Sequence, residues 1–167
     1  MTDDAPLIVD PWPSTTLDRE VVMARVLDAP VATAFRAWTD PAQIVQWFGP
    51  AGFAIRSHEI DIRPGGLWRF EMVAPDGTVF ANLMRFVRIE DGRLIEFVHG
   101  ASEDDPDAFR MLVTFDAQHN GKTVLTLRQL HPSAARRAAV IGFGAVEYGA
   151  QTWDKLAAFV AARAGKQ

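Results

Sequence analysis

The chain has 167 residues, of which 49% are hydrophobic and 23% are charged. These values are typical of one globular domain with a substantial core and argue against a disordered chain. Lys and Arg number 17 against 21 Asp and Glu, which excludes the basic surface that binds nucleic acids or anionic membranes. The absence of cysteine excludes disulfides, thiolate nucleophiles and cysteine metal sites. The longest apolar stretch, 138–146, is too short for a membrane span and no signal peptide is recognisable, so we expect a cytoplasmic protein.

Residues 1–17 are predicted to form a partly ordered N-terminal arm, because three prolines and a run of Ser and Thr interrupt regular structure. The following residues, 18–164, are predicted to fold as a single domain. Its first strand is expected at 19–27, which is rich in valine. Two short helices follow, because apolar side chains recur at helical spacing on both sides of Asp40-Pro41.

Residues 53–130 have the pattern of six short strands separated by turns. The expected strands are 53–62, 67–72, 78–90, 93–97 with a possible extension to 99, 109–117 and 123–130. Tight hairpin signals such as Asn120-Gly121 indicate that neighbouring strands are antiparallel. The 78–90 stretch alternates poorly between apolar and polar residues, which predicts a β-bulge.

The C-terminal residues predict helical structure that opens at Pro132-Ser133. Three glycines weaken its middle, and an apolar stripe from Val146 to Val160 predicts a helix of about five turns. So little helix cannot cover both faces of seven strands. We therefore expect an α+β fold, in which a curved seven-stranded antiparallel sheet wraps around the long C-terminal helix.

Four stretches follow one another in a recognisable order along the chain. The first runs from Ala29-Pro30 through Phe35 to Trp38-Thr39-Asp40-Pro41, the second is Trp47-Phe48-Gly49-Pro50, the third is Asp61-Ile62-Arg63-Pro64-Gly65-Gly66 followed by Trp68-Arg69-Phe70 and Pro75-Asp76-Gly77, and the fourth is 144–157. Together they resemble the START-like, or SRPBCC, superfamily with the Bet v 1-type helix-grip fold, and more narrowly bacterial relatives of the C-terminal domain of the activator of heat-shock protein 90 ATPase. The resemblance implies a cavity between sheet and helix, of the kind that holds lipids, hormones or polyketides, and it supplies no catalytic motif. Tyr148 departs from the family pattern and is expected to change the cavity near the middle of the long helix.

The polar residues form no strong catalytic or metal-binding motif. The four histidines lack the spacing of metal ligands, so neither a metal nor another cofactor is expected. No serine lies in a nucleophile elbow. Glu59 and Asp61 share a strand face at i, i+2 and would suit an acid/base pair, although Asp61 beside the Arg63-Pro64 turn favours a structural role.

The abundance of aromatic residues favours an apolar cavity of roughly 300–1,000 Å3 that binds a small apolar molecule of the lipid or aromatic class. The candidate ligand-binding residues are Trp68, Phe70, Phe97, Met111, Val113 and Phe115 from the sheet, Glu147, Gln151 and Trp153 from the helix, and His99 as a polar group. His99 is expected to face inward because it shares the period-two alternation of Ile95 and Phe97.

Two other functions stay open. An enzyme on the same cavity would use His99 with Glu147, or Glu59 with Asp61, for acid/base chemistry such as cyclisation, dehydration or hydrolysis. A co-chaperone that stimulates a heat-shock ATPase rests on family analogy alone. No nucleic acid partner is expected, and Trp12 or the apolar edge of the sheet would support a homodimer.

Overall fold

A computed structural model describes residues 16–165, so Trp12 and most of the expected N-terminal arm lie outside the described residues. The strands are β1 Glu20–Leu27, β2 Ala54–Ile60, β3 Leu67–Val73, β4 Val79–Glu90, β5 Leu94–Gly100, β6 Phe109–Ala117 and β7 Thr123–Leu130. The helices are α1 Val31–Thr39, α2 Pro41–Trp47, α3 Ala134–Gly142 and α4 Ala145–Ala164.

The seven described strands pair antiparallel in the order β1-β7-β6-β5-β4-β3-β2, so β1 and β2 are the edges of the sheet. The α+β class and the helix-grip arrangement expected from the sequence are confirmed. The β4–β5 register shifts between Phe86 and Arg88, which confirms the expected β-bulge, and the β2–β3 register shifts between Ser57 and Glu59. Such irregularities increase local twist and bending, which allows a sheet to curve around a helix.

Helices α1 and α2 meet at Asp40, whose carboxylate accepts a hydrogen bond from the backbone N–H of Ala42 at 2.9 Å. This contact satisfies one of the free amides at the start of α2, and proline follows directly in the first turn, where its missing N–H costs little. Trp47 at the other end of α2 donates its indole N–H to the carbonyl of Ala37 at 2.9 Å. The two short helices are therefore held together as one corner of the fold.

The C-terminal segment is two helices rather than one continuous helix. Ser133 caps α3 by accepting the backbone N–H of Arg136 at 3.0 Å, as the Pro132-Ser133 signal predicted. The chain breaks after α3 at Phe143 and Gly144, where Gly144 has a φ of +90°. Glycine adopts this left-handed conformation without the steric cost that a β-carbon imposes, which explains the position of the break.

An aromatic cluster occupies the core between α4 and the sheet. The ring centroids of Trp38 lie 4.9 Å from Trp47 and 5.8 Å from Trp153, and Trp38 also lies 6.3 Å from Phe97 on β5. Further along α4, Leu156 and Val160 are fully buried in the same core. This half of the space under the long helix is therefore filled by side chains.

Candidate functional site

Seven of the residues expected to line a cavity are packed in the core. They are Trp68, Phe70, Phe97, Met111, Val113, Phe115 and Trp153, and none is more than 5% exposed. Trp68 and Phe70 stack with their ring centroids 3.8 Å apart, and Phe115 meets Phe35 edge to face at 5.1 Å. Packing of this kind leaves little free volume at these positions.

The polar residues expected to enter the cavity from the helix lie elsewhere on α4. Glu147 is exposed in the first turn. Gln151 accepts the backbone N–H of Ala51 through its side-chain oxygen at 3.2 Å. One turn later, Lys155 donates to the carbonyl of Gly49 at 3.1 Å, and burial lowers the pKa of this ammonium group. Gln151 and Lys155 thus fasten α4 to the loop after α2.

An open pocket of about 500 Å3 lies between β3–β5, the β5–β6 loop and the junction of α3 and α4. Its apolar side chains are Phe53, Met72, Phe80, Phe109, Val140, Phe143 and Tyr148. Its polar side chains are Asn82, His99, Asp105, Asp107 and Arg136. Of the ten candidate ligand-binding residues, His99 is the member that borders this pocket.

The strand register places His99 and Asn82 in this pocket. Met84 on β4 pairs with His99, which in turn pairs with Phe109 on β6. Asn82, two residues before Met84, lies opposite Phe70 on β3. Directly opposed residues of antiparallel strands point to the same face of a sheet, so these side chains share the face on which the buried Phe70 and Met84 lie.

His99 and Asn82 form a hydrogen bond whose direction is fixed by a third contact. His99 Nε2 lies 2.7 Å from Asn82 Oδ1. The amide nitrogen of Asn82 donates to the backbone carbonyl of Phe80 at 2.9 Å, which leaves the amide oxygen towards His99. Because an amide oxygen only accepts, this assigned orientation places the imidazole hydrogen on Nε2 and leaves Nδ1 as an acceptor.

His99 is held neutral by its surroundings. Burial lowers its pKa to about 4, and the nearby carboxylate of Asp105 offsets only part of this effect. Four phenylalanine rings surround the imidazole with centroids between 5.1 and 6.3 Å: Phe48, Phe70, Phe97 and Phe109. An imidazolium would lose part of its hydration there, so the neutral ring is the form present at pH 7.

The β5–β6 loop brings a carboxylate to the pocket next to His99. Asp105 accepts the backbone N–H of Ala101 at 2.8 Å and that of Asp107 at 2.9 Å, and these bonds lower the pKa of its carboxyl group. A β-carbon on Gly100 would lie 3.0 Å from a carboxylate oxygen of Asp105, so glycine permits this close approach. Across the pocket, Arg136 on α3 lies 3.7 Å from the carboxylate of Asp107.

Neither pair expected for acid/base chemistry meets in this pocket. Asp61 accepts from its neighbour Arg63 at 2.7 Å, and Glu59 lies 3.9 Å from Arg69. Neither carboxylate borders the pocket, and Glu147 does not border it beside His99. Within residues 16–165 there is also no cluster of three or more His, Asp or Glu side chains that would hold a metal ion.

Several pocket residues were missed by sequence reasoning. Asn82 lies in the strand that alternates poorly, and the bulge near Arg88 shifts the register by which it would be placed opposite β5. Asp105 belongs to an acidic stretch that indicates only a turn. Tyr148, expected near the middle of a long helix, lies in the first turn of α4 and borders the pocket, because the chain breaks at Gly144.

Comparison with solved structures identifies relatives of the same fold. A solution structure of a protein from Arthrobacter aurescens has a TM-score of 0.79 with 21% identity, covering 86% of each chain. A crystal structure of a protein from Nitrosomonas europaea has a TM-score of 0.78 with 22% identity, covering 86% of this chain and 95% of the other. A Mycobacterium smegmatis protein has a TM-score of 0.74 with 24% identity, covering 84% and 90%. At these identities the likeness establishes the fold alone.

No curated protein matches the chain. Among the helices described, none combines the length and the hydropathy needed to cross a membrane.

The decisive comparison is with protein families. Residues 28–161, most of the chain, match the family described as Activator of Hsp90 ATPase homolog 1-like protein. This match agrees with the helix-grip topology and confirms the resemblance seen in the sequence motifs. The chain belongs to the Activator of Hsp90 ATPase homolog 1-like family.

Proposed function

We propose that this protein binds a small, largely apolar molecule in the pocket between β3–β5 and the α3–α4 junction. The observation that carries the proposal is an open volume of about 500 Å3 with an apolar lining and a few fixed polar groups. Small-molecule sites usually have this size and this composition.

Exposed apolar surface at the pocket supports the proposal. Phe143 is 72% exposed, Tyr148 48% and Phe80 49%, and all three border the same opening. Covering such surface is favourable by about 25 cal/mol per Å2. A ligand seated here would therefore bury aromatic surface that the folded chain leaves in contact with water.

The polar groups favour binding over catalysis. A general base works best when its pKa lies near the working pH, whereas His99 has a pKa of about 4. Asp105 already accepts two backbone hydrogen bonds. These groups suit the orientation of a ligand better than proton transfer at neutral pH.

The family match favours one second candidate, a co-chaperone-like domain. The pocket separates the two functions, because stimulation of an ATPase requires a protein interface and not an open apolar pocket. Blocking the pocket should therefore abolish ligand binding and leave any stimulation of a chaperone ATPase unchanged.

Two matched tryptophan variants test the proposal. Val140 on α3 borders the pocket, and Ala138 on the same helix is exposed and does not border it. We expect the uncharged fluorescent probe N-phenyl-1-naphthylamine to bind to the native protein and to Ala138→Trp, and to lose binding in Val140→Trp. Circular dichroism checks that both variants fold. Equal probe binding by the two folded variants would contradict the proposal.

A further inference from the structure

We infer that the molecule bound in this pocket carries a hydroxyl group on an aromatic or alicyclic ring, and that this hydroxyl donates its hydrogen to one of two protein acceptors, His99 Nδ1 or the carboxylate of Asp105. The inference rests on the proposed function of the pocket and adds the chemical class of its ligand. It is carried by the hydrogen-bond directions in the pocket.

The first acceptor is the ring nitrogen of His99 that does not contact Asn82. The chain of contacts from Phe80 through Asn82 to His99 Nε2 leaves the lone pair on Nδ1. No described residue donates a hydrogen bond to Nδ1. Nδ1 is also not one of the polar atoms that are both fully buried and unpaired, so part of its surface is exposed. Nδ1 therefore remains accessible on a residue that borders the pocket.

The second acceptor is Asp105, in the loop between β5 and β6. Each of its two oxygens accepts one backbone hydrogen bond, and a carboxylate oxygen accommodates a second. A β-carbon on Gly100, the chain neighbour of His99, would lie 3.0 Å from Asp105 Oδ2, and both side chains border the pocket. A ligand group beside them encounters acceptors and no donor, so a hydroxyl hydrogen bonds to either of them, whereas an ether or carbonyl oxygen bonds to neither.

The main competing ligand is a carboxylate held by Arg136. The Nε of Arg136 is buried without a hydrogen-bond partner among the described residues, and Arg136 borders the pocket. The charges oppose this alternative, because Arg136 lies 3.7 Å from Asp107 while Asp105 adds a second negative group. The ionised groups that border the pocket, Asp105, Asp107 and Arg136, sum to −1, which disfavours an anionic ligand.

Three ligands of one ring system test this inference by isothermal titration calorimetry at pH 7. They are 2-naphthol, which carries a donor, 2-methoxynaphthalene, which carries only an acceptor, and 2-naphthoate, which is an anion. We expect 2-naphthol to bind about three- to tenfold more tightly than either of the others, the ratio that one net hydrogen bond provides.

Two substitutions assign the preference to the acceptors. His99→Phe keeps an aromatic ring among the four phenylalanines and removes Nδ1, so it should lower the ratio of the 2-naphthol affinity to the 2-methoxynaphthalene affinity and leave Asp105 as the remaining acceptor. Phe109→Leu is the control, because it changes the apolar lining and removes no hydrogen-bond acceptor. It should lower the affinities for both ligands by a similar factor and leave their ratio unchanged. If His99→Phe fails to fold, Asn82→Leu gives a second test, because it removes the contact that holds the hydrogen on Nε2.

The outcomes separate this inference from the proposed function. Equal affinity for 2-naphthol and 2-methoxynaphthalene would overturn the donor assignment and leave the pocket as a binding site. Tightest binding of 2-naphthoate, lost in Arg136→Gln, would overturn it in favour of an acid. If none of the three ligands binds, the result counts against the proposed function itself.

Discussion

Asn82 fixes the hydrogen of His99 on Nε2, because the 2.7 Å contact between Asn82 Oδ1 and His99 Nε2 is backed by the bond from the Asn82 amide to Phe80. The relationship joins neighbouring strands β4 and β5 and gives an aromatic pocket one directed polar group. It therefore sets the direction of hydrogen bonding at the site.

The tautomer of His99 should be observable directly. In long-range 1H–15N spectra at pH 7, we expect the native protein to show a protonated Nε2 and an unprotonated Nδ1 at His99. Asn82→Leu removes the acceptor and should shift the ring towards a mixture of tautomers. A native spectrum with the hydrogen on Nδ1 would be incompatible with the arrangement described above.

Stability should fall as the pH drops below 6.5, before most carboxylates titrate. Unfolded His99 binds a proton near pH 6.5, whereas the folded residue stays neutral to about pH 4, so the unfolded state binds more protons between these values. From pH 6.5 to 5 this costs about 2 kcal/mol of unfolding free energy. Asp105, Asp107 and Arg136 are the other charged groups at this pocket, and the charge of Asp105 reduces the effect.

Urea unfolding at pH 7, 6 and 5 measures this dependence. His99→Phe should show a shallower loss than the native protein. The remaining slope includes His131, whose pKa is also lowered, first by burial and then by Arg136 and Arg137. Identical slopes in the two proteins would show that His99 is not held neutral.

The break between α3 and α4 should depend on the left-handed backbone at Gly144. Gly144→Ala places a β-carbon 3.3 Å from the ring of Tyr148 at a φ of +90°, so we expect a loss of about 1–2 kcal/mol. Gly142→Ala is the matched control, since nothing lies within 4 Å of its β-carbon and its φ is not positive. This control should be neutral or stabilising by up to about 1 kcal/mol. Thermal unfolding of both variants measures these two changes in stability.

The buried aromatic cluster should contribute to stability and not to binding. Trp153 is 4% exposed and stacks on Trp38. Trp153→Ala should cost about 3–5 kcal/mol, the usual effect of removing a packed aromatic side chain. Denaturant unfolding measures this cost, and a loss below about 1 kcal/mol would indicate an unfilled space under α4.

Much of the fold could be predicted because local signals agree with the tertiary structure. Hairpin turns and alternation placed β6 and β7 at the residues where they occur, and Asp40-Pro41 marked the boundary between α1 and α2. From the sequence, Gly144 indicated only a local loss of helix propensity. Its backbone conformation, which divides the segment into α3 and α4, depends on tertiary packing.

The site was harder to predict because the inward face of the sheet carries both the residues packed in the core and the residues that border the open pocket. Alternation correctly directs Trp68 and His99 to the concave side, but it does not distinguish a position packed by α1, α2 and α4 from one left open. That distinction depends on where Trp38 and Trp153 lie in three dimensions. His99 was identified because it is a polar residue in an apolar alternation, a signal that Asn82 shares only after the β4 bulge is known.

The central claim is that small molecules bind at the β3–β5 pocket and not within the aromatic core. An NMR titration of the native protein with 2-naphthol tests this most directly. The account predicts saturable shift changes concentrated at His99, Asn82, Phe109 and Tyr148, with Trp153 little affected. Changes centred on Trp153, or no saturable change at any residue, would contradict it.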